Sequence, residues 1–323
     1  MTLALRVSNS QRAGLGHFNR CLSLRDKIEF KAVWFLDFKS NYYKDLINKD
    51  DIIYYEKDKS SCSKLVAYLK KSKTSLVLVD SNYIVESIIN ELSALTKTVV
   101  ITDKVIDCNA NLIVSSHNLK IKKKKGLLLG PKYALISKKL KRKYILRKKK
   151  KEILLSMGAV DSKGFTLIVV KTLIDVLKHI NHDFRITILL SNFSPIIEDV
   201  KKLINKNKNF SLIVDIKDIS SFYKKVDLAI GSLGVSFLER LYVGIPNLIL
   251  IQNDIQMNLI RYWNKKKCAK IITKLDTNFS EIVLNFLYAH KIHNTFVENG
   301  KKLVDGKGTD RVFKNILELY KND

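Results

Sequence analysis

Short, continuous apolar runs alternate along this chain with amphipathic stretches of roughly 10 to 18 residues, and nothing else in the sequence restricts its fold so strongly. Runs such as LVLV at 76–79 carry no polar alternation, as expected of strands covered on both faces. Repeated strand–helix units of this kind build a parallel sheet. In the first half, strands are predicted at 3–7, 32–36, 52–55, 76–79, 98–101 and 112–114, with helices near 17–27, 60–71 and 84–95. In the second half, strands are predicted at 152–156, 185–190, 210–214, 228–230, 247–251 and 269–273. Helices there fit 164–179, 195–205, 220–225, 235–243, 256–266, 278–290 and 309–321. The expectation is an α/β chain of two domains in tandem, 1–145 and 146–323, with the last helix suited to pack back on the first domain.

A length of 323 residues is long for one domain and comfortable for two. Hydrophobic residues make up 46% and charged residues 28%, which fits folded, soluble domains. No apolar run reaches the ~18 residues of a membrane span. The opening MTLALRVSNS lacks a basic leader, so it reads as a first strand and the chain as cytoplasmic. Cys21, Cys62, Cys108 and Cys268 are scattered, without C-x-x-C spacing. Reduced thiols are therefore expected, with no metal site, disulfide framework or cofactor. The net charge is +27, but the lysines are dispersed and aromatic residues do not interleave with them. No specific nucleic-acid partner is expected; the positive field favours anionic ligands such as nucleotide diphosphates. The basic stretch 137–151, SKKLKRKYILRKKKK, reads as a solvated helix or linker at the domain boundary. Its alternative is weak attraction to an anionic membrane surface.

The chemistry is expected at strand ends. After the first strand comes SNSQRAGLGHFNR, in which Gly14 and Gly16 allow a tight turn and the next helix offers free N–H groups to an anion. His17 sits beside the positive end of that helix, which favours a neutral imidazole able to act as a base; the alternative is packing or capping. Arg20 lies one turn on, on the same face, placed to orient a phosphate or carboxylate. DSNY follows the strand at 76–79; Asp80 is expected to cap the next helix and Tyr83 to contact sugar or water. Gly158, in SMGAVD, offers backbone to a nucleotide. Gly231, Ser232, Gly234, Val235 and Ser236 open a helix with small residues and N–H donors suited to a diphosphate. Glu239, one turn later, can accept from both ribose hydroxyls. In NDIQMN, Asn253, Asp254 and Gln256 either contact phosphates and sugar or, through Asp254, cap a helix. H-E-x-x-H, G-x-x-x-x-G-K-[ST] and G-x-S-x-G are all missing from the sequence, which argues against a zinc protease, a P-loop NTPase and an α/β-hydrolase.

Taken together, G-x-G-H-x-x-R-C-L after the first strand and GPKYALI at 130–136 resemble the UDP-2,4-diacetamido-2,4,6-trideoxy-β-L-altropyranose hydrolases of pseudaminic acid biosynthesis. MGAVD at 157–161 is similar to that family's M-G-G-x-D, and 231–246 to its small-residue loop, glutamate and G-x-P, a segment shared with peptidoglycan N-acetylglucosaminyltransferases. The sequence departs from the pattern at Ile255, where the family has Asn, at Ala159, and in the extra residue of DSNY. The resemblance implies a GT-B fold, two Rossmann-like domains whose parallel sheets face a central cleft, with UDP held mainly by the second. It implies that His17 assists a water attacking the anomeric carbon of a UDP-sugar, with Tyr83 nearby and no metal required. The alternative it leaves open is a GT-B glycosyltransferase using a UDP-sugar donor.

Overall fold

Each half of the chain forms a parallel sheet covered by helices, and the two sheets share one strand order. The computed structural model describes all residues except 1, 10–15, 30, 123–124, 143–150, 159–160, 162, 181–183, 217 and 322–323. It divides into two units: Met1–Ser137 with Gly306–Asp323, and Lys138–Asp305. The division thus falls ahead of the 145/146 position expected above.

Unit 1 runs β1 (Leu3–Val7), α1 (Gly16–Arg25), β2 (Ala32–Leu36), α2 (Asn41–Leu46), β3 (Ile52–Tyr55), α3 (Ser63–Lys71), β4 (Leu76–Asp80), α4 (Glu86–Leu95), β5 (Lys97–Ile101), β6 (Leu112–Ser115) and β7 (Leu127–Leu129). Its seven strands lie in the order β3-β2-β1-β4-β5-β6-β7. Unit 2 continues with β8 (Lys151–Ser156), α5 (Phe165–Lys178), β9 (Phe184–Leu190), α6 (Ile197–Ile204), β10 (Phe210–Val214), α7 (Ile219–Tyr223) and β11 (Leu228–Ser232). Then come α8 (Val235–Val243), β12 (Asn247–Leu250), α9 (Asp254–Lys266), β13 (Lys270–Ile272), α10 (Phe279–Tyr288) and α11 (His290–Leu303). Its six strands lie in the order β10-β9-β8-β11-β12-β13. The last helix, α12 (Gly308–Lys321), belongs to unit 1.

In both sheets the first strand sits between the second and the fourth. Leu3 of β1 lies opposite Ala32 of β2 and Leu76 of β4, and Ile153 of β8 lies opposite Ile186 of β9 and Leu228 of β11. Connections therefore leave β1 and β8 in opposite directions, and ligands of such sheets bind at the carboxyl ends of the strands flanking that reversal.

Strand alternation sorts the unit 1 core into two faces. Leu3, Leu5, Leu76 and Leu78 meet Phe18 and Leu24 of α1 and Val312 and Ile316 of α12. Ala4, Val33, Val77 and Val79 meet Leu65 and Leu69 of α3 and Ile89 and Leu92 of α4. In unit 2, Ile153, Leu155, Ile186 and Ile230 pack with Val169 and Leu173 of α5 and Val283 and Leu287 of α10. Each fully buried aliphatic side chain contributes about 1.5–3 kcal/mol.

Four elements among the described residues lie outside the predicted set: α2, β7, the 3₁₀ turn Pro131–Tyr133 and α11. Helix α2 is a single short turn set by Ser40, whose Oγ accepts from Tyr42 N. Strand β7 has three residues. Helix α11 is polar and contains Gly300, where a Cβ would lie 2.9 Å from Leu241 Cδ2, so the glycine permits close approach to α8. The basic stretch also departs from its reading as fully solvated. Its residues 143–150 lie outside the described residues, but Lys151 is buried as the first residue of β8. The Lys151 ammonium donates to Leu287 O at 2.6 Å and lies 5.6 Å from the Phe184 and Tyr288 ring centres.

Candidate active site

β1 and β4 are neighbours, and Ser8 N donates to Asp80 O at 3.0 Å, so the ends of both strands are held together where α1 begins. Gly14 lies outside the described residues; Gly16 is the first residue of α1 and His17 the second. His17 is buried, its Nδ1 2.6 Å from Asp80 Oδ1. Arg20, one turn along α1, gives Nε to Asp80 Oδ2 at 2.5 Å and Nη2 to Asp80 Oδ1 at 2.6 Å. Its Nη1 reaches both oxygens of Asp103, each at 2.9 Å. The carboxylates that Arg20 orients are thus the protein's own, and its side chain is buried among them. Asp80 does not cap the following helix: the N-cap of α4 is Val85, without a side-chain bond.

Electrostatics fixes the protons. Burial raises the Asp80 carboxyl, but the attraction of Arg20 and His17 outweighs it and the net shift is downward. An ionised Asp80 only accepts, so His17 Nδ1 donates to it, which leaves Nε2 as the ring nitrogen turned away from the carboxylate. Asn82 Nδ2 donates to that Nε2 at 3.2 Å. Asp103 is likewise desolvated, yet Arg20, His117 and His17 hold it at about 2. His117 Nε2 lies 3.8 Å from Asp103 Oδ1, and burial lowers its proton affinity. Cys21 Sγ donates to Asp80 Oδ2 at 3.4 Å, and burial followed by Asp80 pushes that thiol well up, so it stays protonated.

The DSNY loop is pinned around this cluster. Ser8 Oγ donates to Ser81 Oγ at 2.6 Å, Tyr83 N donates to Ser81 Oγ at 3.1 Å, and Lys104 Nζ donates to Asn82 O at 3.1 Å. Tyr83 is half-buried beneath Lys59, whose ammonium is 5.1 Å from the ring centre.

Unit 2 presents its own candidate site at the ends of β8 and β11. Gly158 follows β8 in a left-handed conformation, φ +97°. Ser232 Oγ and Gln252 Nε2 both donate to Met157 O, at 3.1 and 2.8 Å. A Cβ on Gly231 would lie 2.4 Å from Ser156 O and 2.9 Å from Arg240 Nη2, so this glycine serves the packing of β8 and the buried Arg240. Gly234 is the N-cap of α8, with open space where a Cβ would stand; Val235 and Ser236 begin the helix. Helix starts leave such N–H groups without intrahelical partners. Glu239 accepts from Tyr223 Oη at 3.3 Å, and burial pushes its carboxyl up to about 7. At α9 the cap is Asn253, whose Oδ1 accepts from Gln256 N at 3.0 Å, and Asp254 instead occupies the first turn. Gln256 Oε1 accepts from Gln252 N at 2.9 Å, so the Asn253 and Gln256 side chains are tied into the loop itself.

Sequence reasoning missed Asp80 as the partner of His17, and Asn82, Asp103 and His117 altogether. Their one sequence signal is position just past an apolar strand. Among the described residues, no group of three or more His, Cys, Asp and Glu side chains is arranged to hold a metal ion, and no helix is long and apolar enough to cross a membrane.

No protein-family model matches the chain. It is 27% identical over 289 residues, 82% of its length, to an uncharacterized protein of Methanocaldococcus jannaschii. It is 25% identical over 208 residues, 60% of its length, to the spore coat polysaccharide biosynthesis protein SpsG of Bacillus subtilis. Each match spans 59% of the relative's own length. Among solved structures, a putative UDP-N-acetylglucosamine 2-epimerase from Listeria monocytogenes superposes with a TM-score of 0.71 at 12% identity, over 100% of this chain and 97% of that one. MurG of Acinetobacter baumannii superposes with a TM-score of 0.68 at 14% identity, over 98% and 99%. The chain has the GT-B fold. Its two parallel-sheet α/β units are the Rossmann-like domains of that fold.

Proposed function

We propose that this chain hydrolyses a UDP-linked sugar at its anomeric C–O bond, releasing UDP and the free sugar. The observation that carries the proposal is the buried His17–Asp80 contact, with the Asn82 amide nitrogen, a donor, set against the far ring nitrogen; this supports Nε2 as the base. Water displaces the Asn82 amide from Nε2, its oxygen attacks the anomeric carbon, and its proton passes to Nε2. The bond from that carbon to the β-phosphate oxygen breaks, and the electron pair leaves with UDP. In unit 2, the start of α8 at Gly234–Ser236 and the Glu239 carboxylate are the groups suited to a diphosphate and a ribose. On the sequence resemblance, the sugar is a 2,4-diacetamido-2,4,6-trideoxyhexose and the product serves nonulosonic acid synthesis.

The test is UDP release from that UDP-sugar by the purified protein. His17→Ala is expected to lower the rate by about 10²–10⁴-fold, the usual contribution of a general base. Equal rates in the wild type and the variant would overturn the proposal. A second reading, transfer to an acceptor hydroxyl by the same base, is favoured by the relative named for polysaccharide biosynthesis. It requires that UDP release depend on an added acceptor, whereas hydrolysis proceeds in water alone.

A further inference from the structure

The His17 site extends beyond the pair that does the chemistry. Asp80 accepts from His17, Arg20 and Cys21, and a carboxylate matched by a buried guanidinium would exert little net field on the imidazole. Arg20 is itself matched on its far side by Asp103, through both carboxylate oxygens at 2.9 Å. Arg20 also stands against the ring itself, with Nη2 3.1 Å from His17 Nδ1, so its positive charge acts on the imidazole directly and Asp103 is the charge that offsets it. We propose that Asp103 is a positioning residue for His17: it neutralises Arg20, so that the field of Asp80 still acts on the imidazole and the ring keeps its proton on Nδ1. This rests on the reading of His17 as the base.

Asp103 comes from the loop after β5, Asp80 from β4, and Arg20 from α1, so the chain of contacts joins three elements. The other titratable groups facing it are His117, beyond β6, whose proton affinity burial lowers, Cys21 of α1, whose thiol burial pushes up, and Lys104, whose ammonium donates to Asn82 O. None of them supplies the negative charge that Asp103 does. Asp103 keeps 22% of its side chain exposed, so it is accessible to substitution without opening a buried cavity.

The experiment compares Asp103→Asn with Asp103→Glu. The chain has only six histidines, so ¹³C-labelled imidazole signals are separable, and His17→Gln assigns the His17 signal. In the substrate-free protein, Asp103→Asn is expected to lower the pH at which the His17 ring signal shifts, by roughly half a unit or more. Asp103→Glu, which keeps the charge, is expected to stay near the wild type. The acid limb of the pH–rate profile for UDP release should move the same way, with KM little changed. Should the amide variant not fold, Asp103→Ser removes the same charge and carries the same expectation. Coincident ring titrations in the wild type and the neutral variant overturn the inference, as does an equal shift in Asp103→Glu. A shifted ring titration in a protein that releases no UDP upholds the charge relay and overturns the hydrolytic reading alone.

Discussion

At Glu239 a single environment changes what a side chain offers. Burial lifts its carboxyl to about 7, so at mildly acidic pH it is neutral and a poor acceptor for two hydroxyls. If it holds a ribose, nucleotide affinity should rise a few-fold between about pH 6 and 8 in the wild type relative to Glu239→Gln, measured by titration calorimetry; parallel profiles would remove Glu239 from the nucleotide site. The same group has an opposite consequence for the free protein. Its folded value is raised, so the unfolded chain ionises first, and stability falls as pH rises from the ordinary carboxylate range through about 7. Residues of this kind were partly legible. His17 and Arg20 announce themselves by following a glycine pair at a helix start. Asp80 and Asp103 do not, because they reach Arg20 across 60 and 83 positions of sequence, and no local rule selects one strand-end aspartate as a partner.

At the scale of elements, the apolar runs located the strands because a parallel strand buries both faces and must be apolar throughout. The elements lost were those whose identity depends on neighbours. The predicted helix 278–290 is α10, which ends at Tyr288; the helix that follows it, α11, is not predicted, being too polar for its buried face to stand out. Gly231 illustrates the same dependence. It reads as a phosphate-loop glycine, yet its missing Cβ makes room for Ser156 O and the Arg240 guanidinium. Gly231→Ala is therefore expected to destabilise unit 2 by about 1–3 kcal/mol through overpacking. Urea denaturation followed by circular dichroism would show this; an unchanged midpoint would mean that Arg240 and β8 yield without cost.

For the whole molecule, the decisive feature is that the chain's last helix completes its first unit. Val312 and Ile316 of α12 are buried against the sheet with Phe18 and Leu24, and Arg311 Nη1 donates to Lys132 O at 2.8 Å. At about 1.5–3 kcal/mol for each of these two buried aliphatic side chains, this packing is comparable with the lower end of the net stability of a domain, about 5–15 kcal/mol. Deleting residues 306–323 should unfold unit 1 or lower its melting temperature sharply, while the transition of unit 2 persists in scanning calorimetry. A truncated chain with both transitions unchanged would show that α12 is dispensable.

The sequence by itself determined the α/β class, the parallel strands and the helix-start loop carrying His17. All of these follow from local periodicity, glycine placement and the chemistry of residues close in the chain. The return of the last helix to the first unit was also expected from the sequence, and only the tertiary structure decided which charged groups surround His17. The parallel order β3-β2-β1-β4-β5 brings the ends of β1, β4 and β5 to one edge of the sheet, and there His17, Arg20, Asp80 and Asp103 become a single charge network. Desolvation and Coulomb attraction act between groups that are neighbours in space, and sequence distance does not enter either one.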